Sequence, residues 1–294
     1  MYRIGIIGSE NSHAMAFSRI FNGMEPESAK LYPDLEVVAI GGADREESRK
    51  VAEACGIGFI AEKPEDMLGR VDAVMVTARN GAFHLPYARP FIEAGLPAFV
   101  DKPIANDAAE AQTLLELAAR YGVPVVGGSS TKYVEDVLNM KAAVASGALG
   151  VLRSGAVSAP VNLDNPYGGF YFYASHLVEI VMTLFGYAPT SVAAVRGQGR
   201  VTAVFRYPDY DITGHFVEET GLYSAAAFGT DGIRQSMIDI SSCYSLEAAN
   251  FARMLRTGRA DQPMEELLMP VKAMNALEKA YLTGREQPLS RNQD

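Results

Sequence analysis

Residues 3–14 read Arg3-Ile4-Gly5-Ile6-Ile7-Gly8-Ser9-Glu10-Asn11-Ser12-His13-Ala14. An apolar run that ends in glycine and passes through polar residues into a helical pattern predicts a buried strand, a tight turn and a helix. The same shape opens a dinucleotide-binding domain. There G-x-G-x-x-G lets the turn be tight, lets backbone amides approach a pyrophosphate, and lets helix pack on strand. Gly8 holds the first of those positions, whereas Glu10 and His13 stand at the second and third. A carboxylate about 5 Å from a phosphate charge is repelled by roughly 3 kcal/mol at an effective dielectric near 20. Three outcomes stay open: Glu10 points away, a cofactor binds unusually, or none binds. Whatever the ligand, Asn11 or Ser12 is placed to cap the following helix.

Outward from this turn, short apolar segments alternate with helical ones. Strands are expected at 3–7, 36–40, 73–76, 98–100 and 123–126, and helices at 14–21, 46–54, 86–94 and 108–121. Strands buried on both faces have this near-continuous Val/Ile/Ala character, and helices between them supply the crossovers of a parallel sheet. Residues 1–127 are thus expected to form an α/β Rossmann domain with a doubly wound parallel sheet. After Gly127 the rhythm changes. A helix at 134–146 leads into strand-like runs at 152–158, 191–196, 201–207, 212–217 and 222–228, with helices at 177–185, 245–256 and 264–283. Successive strands without intervening helices predict that 128–294 is an α+β domain with a mostly antiparallel open sheet. The uncovered face of that sheet should be broad and rich in Val, Ala and aromatic side chains. Such a face calls for self-association into a dimer or tetramer, because large apolar patches are rare on monomers.

The chain has 294 residues, 48% hydrophobic and 21% charged, enough for two packed cores. A formal net charge of −9 without a basic block argues against nucleic acid as partner. Cys55 and Cys243 lie far apart without CxxC spacing, which indicates neither disulfide nor structural zinc and fits a reducing cytoplasm. No run reaches the ~20 apolar residues of a spanning helix, and the N-terminus has no signal-peptide plan. A soluble, unprocessed protein with a small-molecule substrate is expected.

Several residues carry candidate chemistry. Asp44 follows the second strand, where an acid accepts ribose hydroxyls, and the adjacent Arg45 suits a 2′-phosphate, so NAD and NADP both remain open. The same residues also read as a capped, solvated helix start. Asp101-Lys102-Pro103 ends a strand whose carboxyl end faces the ligand crevice of such sheets, and Lys102 there can hydrogen-bond a substrate hydroxyl. Residues 165–179 are dense in aromatics: Tyr171 and Tyr173 make a plausible wall for a sugar or cyclitol, and His176 with Glu179 share a helix face suited to proton exchange. The alternative is that the rings are core and His176 a satisfied buried histidine. No second His or Cys stands at ligand spacing from His176, so no metal is indicated. His84 lies just past the 73–76 strand, near the crevice, with capping or core roles equally open.

Asp101-Lys102-Pro103, a Rossmann half before it, and Gly168-Gly169 leading to His176 after it make the chain similar to the Gfo/Idh/MocA family of NAD(P)-dependent oxidoreductases. The resemblance runs along nearly the whole chain. It implies that Lys102 lies by the nicotinamide and the reacting carbinol, and that His176 takes or gives the hydroxyl proton. It further implies a cofactor-facing set of Gly8, Ser9, Asn11, Asp44, Arg45, Thr77, Asn80, Asp101 and Lys102. Substrate contacts would come from Lys102, Tyr171, Tyr173, His176, Glu179 and His84. The chain departs from the family pattern at Glu10 and His13, at Thr77-Ala78-Arg79-Asn80 with a late His84, and at Phe172, where the family has an Asp. Hydride transfer between NAD(P) and a hydroxyl of a sugar or polyol is the expectation. The rivals are a ligand-binding or regulatory protein that has lost the chemistry, and a lyase or hydrolase that keeps the cofactor.

Overall fold

The computed structural model describes residues 1–25 and 28–289, and the chain divides into two compact units. Unit 1 comprises Met1–Ala105, Ala109–Gly128 and Tyr244–Met264; unit 2 comprises Asn106–Ala108, Ser129–Cys243 and Glu265–Asp294. Residues 290–294 of the expected second domain lie outside the described residues. Tyr244–Met264, read with the second half in the sequence, groups with the first.

Unit 1 runs β1 (Tyr2–Ile7), α1 (Ser12–Phe21), α2 (Ser28–Leu31), β2 (Leu35–Gly41), α3 (Arg45–Cys55), β3 (Phe59–Ala61), β4 (Ala73–Val76), α4 (His84–Glu93), β5 (Ala98–Asp101), α5 (Ala108–Tyr121) and β6 (Val125–Gly128). The six strands are parallel in the order β3-β2-β1-β4-β5-β6. That is the doubly wound order, and it reverses between β1 and β4, the place where open α/β sheets hold ligands at the strands' carboxyl ends. β4 and β5 are buried along their whole length, as layers of helix on both faces require.

Unit 2 continues with α6 (Glu135–Ala145), β7 (Leu152–Pro160), α7 (Tyr171–Phe185), β8 (Ser191–Gly197), β9 (Arg200–Arg206), β10 (Asp211–Val217), β11 (Tyr223–Gly229) and β12 (Ile233–Ile238). The helix α8 (Cys243–Thr257) then returns to unit 1, and α9 (Met264–Thr283) with β13 (Gln287–Pro288) completes unit 2. Rings explain the return. Phe251 of α8 meets Phe99 of β5 at 6.2 Å and Phe21 of α1 at 6.0 Å, edge to face, inside the core of unit 1.

The second sheet has the order β12-β11-β7-β10-β9-β8-β13 and is antiparallel except for the β7–β10 pair, which is parallel. α7 packs on β7 and β10. From Ala174 to Phe185 every residue of α7 is buried, which is why this helix is mostly apolar and why its polar residues His176 and Glu179 are hydrogen-bonded inside the protein. Glycines make room for it. A Cβ on Gly155 of β7 would lie 2.5 Å from Phe185 Cζ, and one on Gly214 of β10 would lie 2.9 Å from Leu177 Cδ2. Gly155→Ala should therefore destabilise the fold by about 1–3 kcal/mol through overpacking. A urea unfolding midpoint equal to that of the parent chain would contradict this packing.

The opposite face of the sheet carries part of the expected Val, Ala and aromatic surface, with Ala156, Ala193, Ala226, Val195, Val204 and Phe228 on it, mixed with small polar residues. It carries half-buried Ser154, Ala156 and Ser158 from β7, Thr213 and His215 from β10, and Ser224 and Ala226 from β11. Alternation along each strand sends Val157, Ile212, Phe205 and Phe216 to the buried face and leaves the outer face mixed, with Val195, Ile233 and Met237 exposed on it. A shallow hollow of about 460 Å³ on this face includes His215, Gln235 and Met237, and none of the expected site residues. No helix among the described residues is long and apolar enough to cross a membrane.

Candidate active site

Each unit holds a cluster of buried polar side chains. In unit 1 the cluster stands at the carboxyl ends of β1, β4 and β5. Gly8 has φ +110, and a Cβ there would lie 2.1 Å from Ala78 N, so only glycine lets these two turns close. Thr77 Oγ1 locks the contact by donating to Gly8 O at 3.0 Å. Asn11, not Ser12, caps α1 by accepting from His13 N. Asn80 caps the short turn at 81–83 through Ala82 N.

Glu10 does not turn outward. Its Oε1 accepts from Arg79 N at 3.3 Å, and its buried Oε2 would lie 3.1 Å from a Cβ built on Gly42. Ser9 Oγ lies 2.7 Å from Ser48 Oγ and donates to Asp44 O, which binds the turn to α3. Asp44 Oδ1 caps α3, accepting from the amides of Glu46 and Glu47. Arg45 pairs with Glu62 at 2.9 Å on the surface. The glycines at 8, 41 and 42 let these turns pack on one another, since a Cβ there would meet Ala78, Ala61 or Ser9; the start of α1 is where backbone amides would approach a dinucleotide's pyrophosphate, and the charge of Glu10 opposes that group.

Asp101 is fully buried and saturated. Its Oδ1 accepts from Lys102 N at 2.6 Å, and its Oδ2 meets Asn11 Nδ2 at 3.0 Å and His13 Nδ1 at 2.7 Å. Burial alone would raise its pKa, but His13 and Lys102 outweigh burial and hold it below the usual carboxylate value. Lys102 is 4% exposed. Burial pushes its ammonium pKa down, while Asp101 and Glu247 of α8 pull it back. His84 is corrected from substrate contact to bracket: it is fully buried, and its ring nitrogens lie 2.7 Å from Pro103 O and 2.8 Å from Ala78 O. Burial lowers its pKa, against Asp101 and the two carbonyls, which favour the charged ring.

In unit 2 the cluster is built by α7, which begins at Tyr171 rather than at 177, and by the segment after β6. His176 Nδ1 lies 2.7 Å from Ser129 Oγ. Glu179 is not the partner of His176: its Oε1 accepts from Ser129 N at 2.6 Å and its Oε2 from Lys132 Nζ at 2.8 Å. Burial alone would lower the Lys132 pKa, and Glu179 with Tyr133 and Tyr187 reverses this and raises it. The Tyr171 hydroxyl is likewise engaged, donating to Glu278 at 2.8 Å and accepting from Asn275 at 2.9 Å, so its expected substrate contact is replaced by an anchor to α9. Burial and Glu278 raise its pKa. Tyr173 stays beside His176, ring to ring at 6.2 Å.

Four members of these clusters have no place in the sequence reading: His13 as the partner of Asp101, Glu247, Ser129 and Lys132. Glu247 had a usable signal, since it lies one helical turn before Phe251 on the apolar face of α8.

A family profile described as "Oxidoreductase family, NAD-binding Rossmann fold" matches residues 2–129. Inositol 2-dehydrogenase of Gluconacetobacter diazotrophicus is 29% identical over 154 residues, covering 50% of this chain and 42% of that protein. The chain thus spans about two fifths of that curated relative's length. Among solved structures, a myo-inositol dehydrogenase from Corynebacterium glutamicum superposes with TM-score 0.83 at 19% identity, covering 99% of both chains. A scyllo-inositol dehydrogenase from Lactobacillus casei, with bound NAD(H) and scyllo-inositol, gives TM-score 0.84 at 15% identity over 98% of this chain and 99% of that one. At these identities the superpositions establish the fold.

Proposed function

We propose, for a chain whose residues 2–129 match the profile of an NAD-binding Rossmann oxidoreductase family, that it is a member of that family and transfers hydride between NAD and a secondary hydroxyl, or the matching ketone, of a sugar or cyclitol. The observation that carries this reading is Lys102, a buried amine at the carboxyl end of β5, set by Asp101 before it and braced through Pro103 by His84. Bound NAD supplies the hydride acceptor at its nicotinamide. The Gly8 turn offers backbone to the pyrophosphate, and Asp44 keeps Oδ2 outside its cap for a ribose hydroxyl. With Arg45 already paired to Glu62, NAD is favoured over NADP. Lys102 and His176 are the groups assigned to the reacting oxygen, one as hydrogen-bond donor and one as proton exchanger. A cyclitol or sugar is supported by the relatives and by the Tyr173 ring beside His176. A second reading, ligand binding without turnover, draws on the carboxylate of Glu10 buried in the nucleotide turn.

Cofactor fluorescence separates the two. NADH should bind at micromolar concentration, ~−8 kcal/mol, and NADPH more weakly; no binding of either at millimolar concentration overturns the oxidoreductase reading. Glu10→Gln should tighten NADH by roughly 10–100-fold, because the repulsion of roughly 3 kcal/mol at full charge is removed and solvent screens part of it. Unchanged affinity would show that Glu10 lies clear of the phosphates.

A further inference from the structure

Ser129 Oγ meets three groups. Thr131 N donates to it at 3.3 Å, Thr131 Oγ1 lies at 2.7 Å, and His176 Nδ1 lies at 2.7 Å. A hydroxyl oxygen has two lone pairs and one proton to place. The Thr131 amide takes one lone pair. Thr131 itself is buried, and among the described residues Ser129 Oγ is the hydrogen-bond partner of its hydroxyl. A buried hydroxyl proton without an acceptor is costly, so Thr131 Oγ1 donates to Ser129 Oγ and fills the second lone pair. The proton of Ser129 is then directed at Nδ1.

We infer that the Ser129–Thr131 hydroxyl pair fixes His176 as the neutral tautomer with its proton on Nε2, which makes His176 a hydrogen-bond donor to the reacting oxygen and not its base. A carboxylate bound to Nδ1 would do the opposite, accepting Nδ1–H and leaving a lone pair on Nε2. Phe172 supplies no such carboxylate, and Glu179 is committed to Ser129 N and Lys132. Two neighbours of the ring are Tyr173 from α7 and Tyr223 from β11, each centred 6.2 Å away.

The meaning of this tautomer rests on the proposed hydride transfer; its geometry does not. Proton exchange falls to Lys102. In ketone reduction the carbonyl carbon would gain the hydride that a reduced nicotinamide supplies, and its oxygen would gain a proton from a protonated Lys102 Nζ as that N–H bond breaks, leaving a neutral amine. Nε2–H holds the oxygen throughout. In alcohol oxidation the C–H bond would give its hydride to oxidised nicotinamide while the hydroxyl proton returns to the amine. A neutral imidazole acting as electrophile toward a carbonyl has precedent in enzyme chemistry.

The tautomer can be read on the protein alone, by long-range ¹H–¹⁵N correlation with ¹⁵N-histidine labelling, the His176 signals being those that vanish in His176→Gln. The parent chain should show a pyridine-like Nδ1 and a pyrrole-like Nε2, with a tautomer preference of roughly tenfold or more, as one unmatched buried donor implies. Thr131→Val removes the competing donor without changing shape, and should give a mixture. Ser129→Asp should move the proton to Nδ1. A parent chain protonated on Nδ1, or a Thr131→Val spectrum identical to the parent, overturns the inference whether or not the protein turns anything over. In a turnover assay His176→Gln, which keeps an N–H donor but no base, should retain more activity than His176→Ala; equal losses would overturn the donor role. Absence of NAD binding would instead remove the oxidoreductase reading and leave the tautomer result standing.

Discussion

Lys102→Ala is expected to lower turnover of a cyclitol or sugar substrate by about 10²–10⁴-fold while leaving NADH affinity within a few-fold of the parent, and His176→Ala to do the same. The reasoning starts from where the lysine is kept. At 4% exposed, its amine has surrendered most of its water; burial lowers its pKa, and Asp101 and Glu247 oppose that shift. A donor held in a dry site does not have to reorganise when charge develops on a substrate oxygen, so its effect appears in kcat more than in KM. Lys102→Arg should rescue little, because a planar guanidinium neither fits the same site nor gives up a proton. Affinity for NADH is measured by fluorescence titration and turnover by absorbance of the reduced cofactor. If both alanine variants turn over as fast as the parent, Lys102 and His176 are structural, and the likeness to the oxidoreductases extends to the fold without this chemistry.

What the sequence reveals of this arrangement follows the range of the interactions involved. The strands of unit 1 that are buried on both faces are legible as apolar runs, and the lysine at the end of β5 is legible because Asp101 and Pro103 flank it. β3 escapes notice because Phe59–Ala61 is short and partly exposed, and β12 because Ile233–Ile238 is an exposed edge with Arg234 and Gln235 in its middle. The start of α7 is obscured by Gly168 and Gly169, which make the following aromatics look like loop. The His176 surroundings are less legible still. Ser129 and Lys132 lie 47 residues from His176 and Glu179 respectively, and Gly127-Gly128-Ser129-Ser130-Thr131 reads as an ordinary turn. His176 and Glu179 do share a helix face, as their spacing requires, but what each one binds is decided by the partner segment. The same holds for His13, which reads as a lost glycine and becomes, through folding, a buried partner of Asp101.

Glu179→Ala should cost about 3–5 kcal/mol of stability, the range for breaking a buried ion pair from one side. Glu179 and Lys132 are 3% and 4% exposed, so the variant leaves an ammonium without its carboxylate and the Ser129 amide without its acceptor. Glu179→Gln separates these losses, since an amide oxygen still accepts from Ser129 N while the ion pair is gone; it should fall between parent and alanine variant. Adding Lys132→Met to Glu179→Gln should recover much of the loss, because a pair of apolar or neutral groups of similar volume avoids the desolvation that two buried charges carry. The pH dependence has a definite sign. The pKa of Lys132 is raised in the folded chain, so its contribution is whole below the ordinary lysine value and disappears as pH climbs through the folded one. Parent and Lys132→Met stabilities should therefore converge only in strong alkali, and hold a constant gap across neutral pH as far as this group decides it. Urea unfolding at several pH values measures both. A Glu179→Ala midpoint within error of the parent would show that α7 is held by its apolar packing alone, and that the Lys132 charge is compensated elsewhere. Because the same carboxylate fixes Ser129 N, loss of Glu179 should also loosen the hydroxyl against His176, so that the tautomer preference weakens in the variants in the same order as their stability.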